Sequence, residues 1–266
     1  MPRRVRLVAF DLDDTAVRDG IIPAPVLVRM ADFAGADGIL TTASGREYKT
    51  QERMLAQSGV TREAGFPHFM ICADKFIYRL ERGGYVELLD WNEAIRERWR
   101  RILPEVVKRL PQALRALDER KLAHAALPSE TWDSHAFVAL QFDSVAAASA
   151  AMPVMDTVFS DLDGAAINRA ANFSAVTVSN AGKGESLRRI ATELGLAPSE
   201  ILAVGDSYND ISMLDGRFGF QSAAVGNAEE VIQRAVRNNG GCIARNAGPE
   251  GFAEIMEMLL DEREGK

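Results

Sequence analysis

Residues 5–15 read Val5-Arg6-Leu7-Val8-Ala9-Phe10-Asp11-Leu12-Asp13-Asp14-Thr15, a short apolar run that ends in acidic residues. The apolar part is too short for a helix, and its content of Val and Leu is typical of a strand buried on both faces of a parallel sheet. Ligands of open α/β sheets bind beyond the carboxyl ends of the strands, so we expect Asp11 and Asp13 at the mouth of a site. Burying two carboxylates is costly unless a cation or a reaction uses them. The alternative interpretation is a strand followed by an Asp-rich turn.

Length and composition are those of an ordinary soluble globular protein. The chain has 266 residues, of which 47% are hydrophobic and 26% charged, and its net charge is −7. This length suits one large domain or two modest ones, and the negative charge argues against a general binder of nucleic acids or anionic membranes. The two cysteines lack metal-ligand spacing, and we find neither a signal peptide nor an apolar run of membrane-spanning length. We therefore predict reduced thiols and a cytoplasmic location.

Two later strand ends repeat the pattern of the first. The run Ile39–Thr42 leads through Ser44 and Gly45 into a predicted helix, and the run Ile201–Val204 ends in Gly205-Asp206-Ser207-Tyr208-Asn209-Asp210. Small polar residues at a helix start present backbone N–H groups to an anion. Because a parallel sheet brings the carboxyl ends of its strands to one edge, we expect these loops to converge.

A convergence of several carboxylates needs positive charge. Oxygen ligands from carboxylates, water and a phosphate suit Mg²⁺. Lys183, at the start of another predicted helix, is placed to neutralise part of the remaining charge.

The middle of the chain has a different texture, with mixed strand and helix signals. A hairpin is predicted around Gly83-Gly84, followed by helices over Trp91–Ile102 and Pro104–Leu117. Strands are predicted over His135–Leu140, Thr157–Phe159 and Ala175–Val178. The pattern predicts an α/β protein in which residues 1–74 and 179–266 form a Rossmann-like parallel-sheet domain, and residues 75–178 form an inserted α+β domain.

Four motifs in order make the chain resemble the haloacid dehalogenase superfamily of phosphohydrolases, and within it the Cof-like group that includes many sugar phosphatases. They are Asp11-Leu12-Asp13-Asp14-Thr15, Thr42-Ala43-Ser44-Gly45-Arg46, Lys183-Gly184 and Gly205-Asp206-Ser207-Tyr208-Asn209-Asp210. Val225-Gly226-Asn227-Ala228 also looks like the Cof-like group. One departure is Asp14, where that group usually has Gly.

The resemblance implies a mechanism and a set of site residues. It implies that Asp11 forms an aspartyl-phosphate while Asp13 acts as general acid and base. It implies Mg²⁺ held by Asp11, the carbonyl of Asp13 and Asp206, with Asp210 as a further ligand or a supporting residue. The implied substrate-binding residues are Thr15, whose hydroxyl fixes the first loop, together with Ser44, Gly45, Lys183 and Asn209. The inserted domain corresponds to a cap that selects the leaving group of a small phosphorylated metabolite.

Several alternatives stay open at this stage. Asp210 and Asn209 have the residue types that cap helices, and Asp161-Leu162-Asp163-Gly164, which mimics the first motif, is best interpreted as a turn. A phosphomutase would use the same nucleophile and acid, and a non-catalytic binding or regulatory protein is the third function class. The physiological substrate and the oligomeric state have no readable motif.

Overall fold

A computed structural model describes residues 4–60 and 62–264. The chain divides into two compact units, one made of residues up to Leu88 and from Gly182 onward, the other of Leu89–Ala181. In chain order the strands are β1 Leu7–Phe10, β2 Ile39–Ala43, β3 Phe69–Cys72, β4 Phe76–Glu81, β5 Gly84–Glu87, β6 His124–Ala126, β7 Phe137–Phe142, β8 Ala165–Ala170, β9 Phe173–Val178, β10 Ile201–Gly205, β11 Gln221–Ala224 and β12 Cys242–Ile243. The helices are α1 Ala24–Gly35, α2 Tyr48–Gln57, α3 Leu89–Glu119, α4 Glu130–His135, α5 Val145–Phe159, α6 Lys183–Leu194, α7 Ile211–Leu214, α8 Glu230–Asn238 and α9 Gly248–Glu264.

The first unit is built on an eight-stranded sheet in the order β12-β11-β10-β1-β2-β3-β4-β5. The strands from β12 to β3 run parallel, while β4 and β5 are antiparallel additions at one edge. All four residues of β1 are buried, as expected for a strand covered on both faces. Strand β1 lies between β10 and β2, so the loops after these three strands open side by side.

Apolar side chains from the helices cover this sheet. Met30 and Phe33 of α1 and Phe252 of α9 are fully buried, and the ring centroids of Phe10 and Phe252 lie 4.8 Å apart. Each such side chain contributes about 1.5–3 kcal/mol when it is fully buried. This core holds β1 in the middle of the sheet and thereby fixes the position of the loop that begins at Asp11.

The second unit contains a four-stranded antiparallel sheet in the order β6-β7-β9-β8, with α3 and α5 packed against it. Helix α3 is 31 residues long and continues through Pro104 and Pro111, where we predicted two helices. The predicted strand Thr157–Phe159 is wrong, because these residues form the last turn of α5. Among the described residues, every helix is too short or too polar to cross a membrane.

The boundary between the two units differs from the predicted one. The hairpin that we placed in the inserted domain, Phe76–Glu81 with Gly84–Glu87, instead extends the sheet of the first unit. Its first strand pairs with β3 from Phe69↔Arg79 to Cys72↔Phe76, so backbone hydrogen bonds join it to the parallel core. The second unit therefore runs over Leu89–Ala181 rather than over residues 75–178.

Candidate active site

Asp11 and Lys183 form a buried ion pair at the carboxyl end of β1. The backbone N–H of Asp11 donates to Val204 O of β10 at 3.0 Å, which continues the strand pairing into the loop. Lys183 begins α6, and its Nζ lies 2.7 Å from Oδ1 of Asp11. The side chain of Lys183 is fully buried and that of Asp11 is 8% exposed. Such a pair in a low-dielectric setting is strongly coupled.

Asp210 is tied down through both carboxylate oxygens. Its Oδ1 accepts a hydrogen bond of 2.6 Å from Lys183 Nζ, and its Oδ2 accepts from the backbone N–H groups of Asp206 and Ser207 at 2.9 and 3.0 Å. A Cβ on Gly205 would collide with this carboxylate, so only glycine leaves room for it. Asp210 therefore fixes the turn after β10 and contacts Lys183, whereas its side chain makes no capping bond to α7, the helix that the alternative interpretation had it cap.

Asp11, Asp206 and Asp210 bring their carboxylates together in one buried cluster. Each offers an oxygen atom, and these oxygens lie within 4.8 Å of one another. Thr15 Oγ1 donates a hydrogen bond of 2.9 Å to Asp206 Oδ1, which joins the loop after β1 to the loop after β10. The convergence that the parallel sheet predicted is thus present.

The pKa values in this cluster indicate a shortage of positive charge. Burial, with Asp210 and Asp206 nearby, raises the pKa of Asp11 well above its usual range, although Lys183 opposes this. Burial and Asp210 raise the pKa of Asp206 to about 7. Burial alone would lower the pKa of Lys183, but Asp11 and Asp210 raise it above its ordinary value. Lys183 is therefore charged, and its single positive charge lies among the three carboxyl groups of the cluster.

The donor set suits a hard divalent cation. Three buried carboxylates, one from the loop after β1 and two from the loop after β10, supply oxygen ligands of the kind that Mg²⁺ takes. Both oxygens of Asp210 already accept hydrogen bonds, so Asp11 and Asp206 are the members better placed to bind an ion directly.

Asp13 lies outside the buried cluster. Its carboxylate is 45% exposed and pairs with Arg46, whose Nε and Nη2 lie 2.7 Å from Oδ2 and Oδ1 of Asp13. Ser44, predicted to bind the substrate, is buried just after β2, and its Oγ accepts a hydrogen bond from the backbone N–H of Arg46 at 3.2 Å. Gly45 follows it and lies beside Asp74 and Asn209.

Sequence reasoning missed Asp74 and assigned no role to Arg46. Oδ1 of Asp74 accepts a hydrogen bond of 2.9 Å from Asn209 Nδ2 and lies 3.8 Å from Lys183 Nζ. Asn209, which the resemblance implies as a substrate-binding residue, therefore reaches Lys183 through Asp74. The available signal was position, because Asp74 follows β3 as Asp11 follows β1.

The second Asp-Leu-Asp sequence follows a helix, α5, and not a strand. Asp161-Leu162-Asp163-Gly164 forms a turn in the second unit, as predicted, and Gly164 has a φ of 86°. The carboxylate of Asp161 is 74% exposed and pairs with Arg109.

Comparisons with known proteins agree with this architecture. In the curated relatives, the matched part is 44% identical over 87 residues to the phosphoglycolate phosphatase of Methanothrix thermoacetophila, covering 32% of this chain and 36% of that protein. It is 36% identical over 80 residues to the phosphatase YwpJ of Bacillus subtilis, covering 30% and 26%. The matched region spans only 36% and 26% of the length of these two relatives.

Solved structures match over nearly the whole chain. The sucrose-phosphatase of Synechocystis sp., in complex with sucrose and phosphate, has a TM-score of 0.72 at 18% identity and covers 97% of this chain and 98% of that one. A haloacid dehalogenase-like hydrolase from B. subtilis has a TM-score of 0.67 at 16% identity, covering 96% and 100%. Likeness at this identity shows a shared fold.

The family assignment comes from a match at the level of the whole family. The profile of haloacid dehalogenase-like hydrolases matches residues 5–215, which include all four motifs and well over half of the chain. The chain therefore belongs to the haloacid dehalogenase-like hydrolase family.

Proposed function

We propose that this protein is a Mg²⁺-dependent phosphatase of a small phosphate monoester. The observation that carries the proposal is the buried contact of Lys183 with Asp11 beside the carboxylates of Asp206 and Asp210. Burying a carboxylate in such a cluster costs free energy of desolvation and repulsion, which is expected only where a cation or a reaction uses the group. Family membership supports hydrolysis as the reaction.

In the proposed reaction, Asp11 attacks the phosphorus atom of the substrate. A bond forms between a carboxylate oxygen of Asp11 and phosphorus, the bond from phosphorus to the leaving oxygen breaks, and Asp13 gives that oxygen a proton. In the second half a water oxygen bonds to phosphorus, the aspartyl-phosphate bond breaks, and Asp13 takes the proton of the water. Inorganic phosphate and the free alcohol are the products.

The other residues hold the reacting groups in place. Lys183 orients the Asp11 carboxylate and places positive charge beside it, while Ser44 and the backbone of Gly45 bind phosphoryl oxygens. Thr15 fixes Asp206. Asp11, Asp206 and the carbonyl of Asp13 would hold Mg²⁺, with Asp210 in support; when bound, the ion offsets negative charge on the carboxylates and on the phosphoryl group.

The substrate class is proposed from chemistry and from the names of relatives. Phosphoglycolate phosphatase and sucrose-phosphatase both act, by name, on phosphate esters of small hydrophilic molecules. We propose a small phosphorylated metabolite, with sugar phosphates as the first class to test, and neither nucleic acid nor membrane as a partner. Selection of the leaving group by the second unit and a cytoplasmic location stay predictions.

A panel of phosphate monoesters tests this function. The purified protein is incubated with sugar phosphates, phosphoglycolate and para-nitrophenyl phosphate, with Mg²⁺ or with EDTA, and products are followed by phosphorus NMR. We expect inorganic phosphate to appear only with Mg²⁺. An isomeric sugar phosphate would identify a mutase, and absence of turnover with every substrate would identify a binding protein.

A further inference from the structure

The ion pair of Arg46 with Asp13 has the geometry of a positioning device. Each carboxylate oxygen of Asp13 accepts one hydrogen bond of 2.7 Å, from Nε and from Nη2 of the same guanidinium. A planar guanidinium that binds both oxygens fixes the direction of the carboxylate as well as its place. Both oxygens of Asp13 therefore have a fixed partner on one side chain.

The backbone of Arg46 is itself held from three sides. Its N–H donates to Ser44 Oγ at 3.2 Å, and its carbonyl accepts from Ala73 N at 2.8 Å and from Gln51 Nε2 at 3.1 Å. Ser44 and Gln51 are buried. The guanidinium thus extends from a rigid junction of the loops after β2 and β3 toward the loop after β1.

Folding stability does not explain this arrangement. The side chains of Arg46 and Asp13 are 39% and 45% exposed, and pairs of that exposure contribute about 0–1 kcal/mol. Arg18 and Glu250 form a comparable two-bond pair at 52% and 55% exposure, outside the site. This second pair supplies a matched control for the chemistry of the first.

We propose that Arg46 is a positioning residue for Asp13, whose carboxyl group it holds in the place and direction needed to accept a proton from water during hydrolysis of the aspartyl-phosphate. This inference rests on the proposed function and concerns its second half. There the water oxygen bonds to phosphorus, the bond from phosphorus to Asp11 breaks, and the proton of the water goes to Asp13. Arg46 forms no bond to the reacting atoms.

A substrate whose leaving group departs without taking up a proton allows hydrolysis of the aspartyl-phosphate to be measured separately. The leaving group of para-nitrophenyl phosphate is a stable anion, so formation of the aspartyl-phosphate from it needs little help from Asp13. Loss of Arg46 should then slow the second half alone. When only the second step of a two-step reaction becomes slower, kcat and KM both decrease. The ratio kcat/KM stays the same, because it depends only on the steps up to formation of the intermediate.

The experiment compares the wild type with Arg46→Gln, Arg46→Lys and Arg18→Gln, each loaded with Mg²⁺. For Arg46→Gln we expect kcat to fall about 10- to 100-fold while kcat/KM changes less than about threefold. A burst of nitrophenolate should accompany the first turnover, and acid-quenched protein should carry a phosphoryl group on the peptide that contains Asp11. Arg46→Lys keeps the positive charge but cannot bind both oxygens of Asp13, so its kcat should lie between those of the wild type and Arg46→Gln. The kcat of Arg18→Gln should match that of the wild type.

Three results would overturn the inference while leaving the phosphatase assignment in place. A higher KM with no burst would make Arg46 an anchor for the substrate, and unchanged kinetics would make the pair a surface contact. A Tm far below that of Arg18→Gln, or failure to fold, would make it a structural contact. A wild type that releases no phosphate, or an Asp11→Asn variant that still does, would overturn the proposed function itself.

Discussion

Nζ of Lys183 lies 2.7 Å from Oδ1 of Asp11, although the two residues are 172 positions apart in the chain. The whole second unit intervenes between them in the sequence, yet both belong to the first unit. The same ammonium lies 2.6 Å from Asp210. The buried ammonium of Lys183 therefore joins the loop of the first motif to the loop of the fourth. Removing it should lower the stability of the fold as well as the rate of turnover.

Lys183→Met should destabilise the metal-free protein strongly. Removing one partner of a buried ion pair leaves uncompensated charge and typically costs 3–5 kcal/mol. Urea denaturation in EDTA measures this, with Lys49→Met, an exposed residue of α2, as the matched control. A Lys183→Met protein as stable as the control would show that the carboxylates around it are not ionised.

The contribution of Asp206 to the stability of the metal-free protein should fall as the pH rises from about 4 to about 7. The pKa of Asp206 is raised from 3.8 to about 7, chiefly by burial. In that interval the unfolded chain has released the proton that the folded chain keeps, so rising pH favours the unfolded state. Above about pH 7 the folded chain has released this proton too, so the contribution of Asp206 to stability no longer changes with pH.

Asp206→Asn isolates this effect, because it removes the titrating group and keeps the shape. One pKa unit corresponds to about 1.4 kcal/mol, so the wild type should lose on the order of 3 kcal/mol more than the variant across this interval. The measurement is the free energy of unfolding in EDTA at a series of pH values. Parallel curves for the two proteins would contradict the raised pKa.

Mg²⁺ should stabilise the wild-type protein and leave Asp206→Asn nearly unchanged. An ion that binds only the folded state at a hundred times its Kd adds about 2.7 kcal/mol. Titration calorimetry and Tm with and without EDTA measure binding without any substrate. Asp215→Asn, a change of the same kind outside the cluster, is the control and should respond as the wild type does.

Asp14→Gly should be tolerated and should stabilise slightly. Asp14 is exposed and has a φ of 57°, in the left-handed region that glycine adopts without strain. Glycine, which the resemblance leads us to expect at this position, would adopt this conformation without strain. We expect a gain of about 0.5–1 kcal/mol for Asp14→Gly and a clear loss for Asp14→Val, because a β-branched residue is disfavoured there. Equal stability of the two variants would contradict this account.

The site could be predicted to the extent that it depends on strand ends. Asp11, Ser44 and Asp206 each follow a short apolar run, and parallel strands place such positions on one edge of the sheet. The geometry of Asp13 could not be predicted this way, since its direction depends on a pair with Arg46 from another loop. Asp74 also lies just beyond a strand, but it was the last residue of the segment assigned to the parallel-sheet domain and belongs to none of the four motifs.

Pro104 stands at the wrong helix boundary in the second unit, where we predicted one helix to Ile102 and another from Pro104 through Pro111. Pro104 and Pro111 lie inside α3, and Pro153 lies inside α5. A proline in a helix interior costs about 3 kcal/mol, so the local rule ends the helix. The burial pattern overrides it, because one face of α3 stays buried across both prolines: Ile95, Trp99, Ile102, Val106, Leu110, Ala113 and Leu117. That spacing of three and four residues was visible in the sequence and was the better guide.

The central claim is that the carboxylate of Asp11 is the nucleophile of a phosphatase, and the chain contains its own control. Asp161 begins the other Asp-Leu-Asp sequence, on an exposed turn of the second unit. The decisive measurement is Mg²⁺-dependent phosphate release by wild type, Asp11→Asn and Asp161→Asn, each verified as folded. We predict that Asp161→Asn matches the wild type and that Asp11→Asn loses more than about 1,000-fold in kcat. A folded Asp11→Asn protein that stays within about tenfold of the wild type would contradict the account.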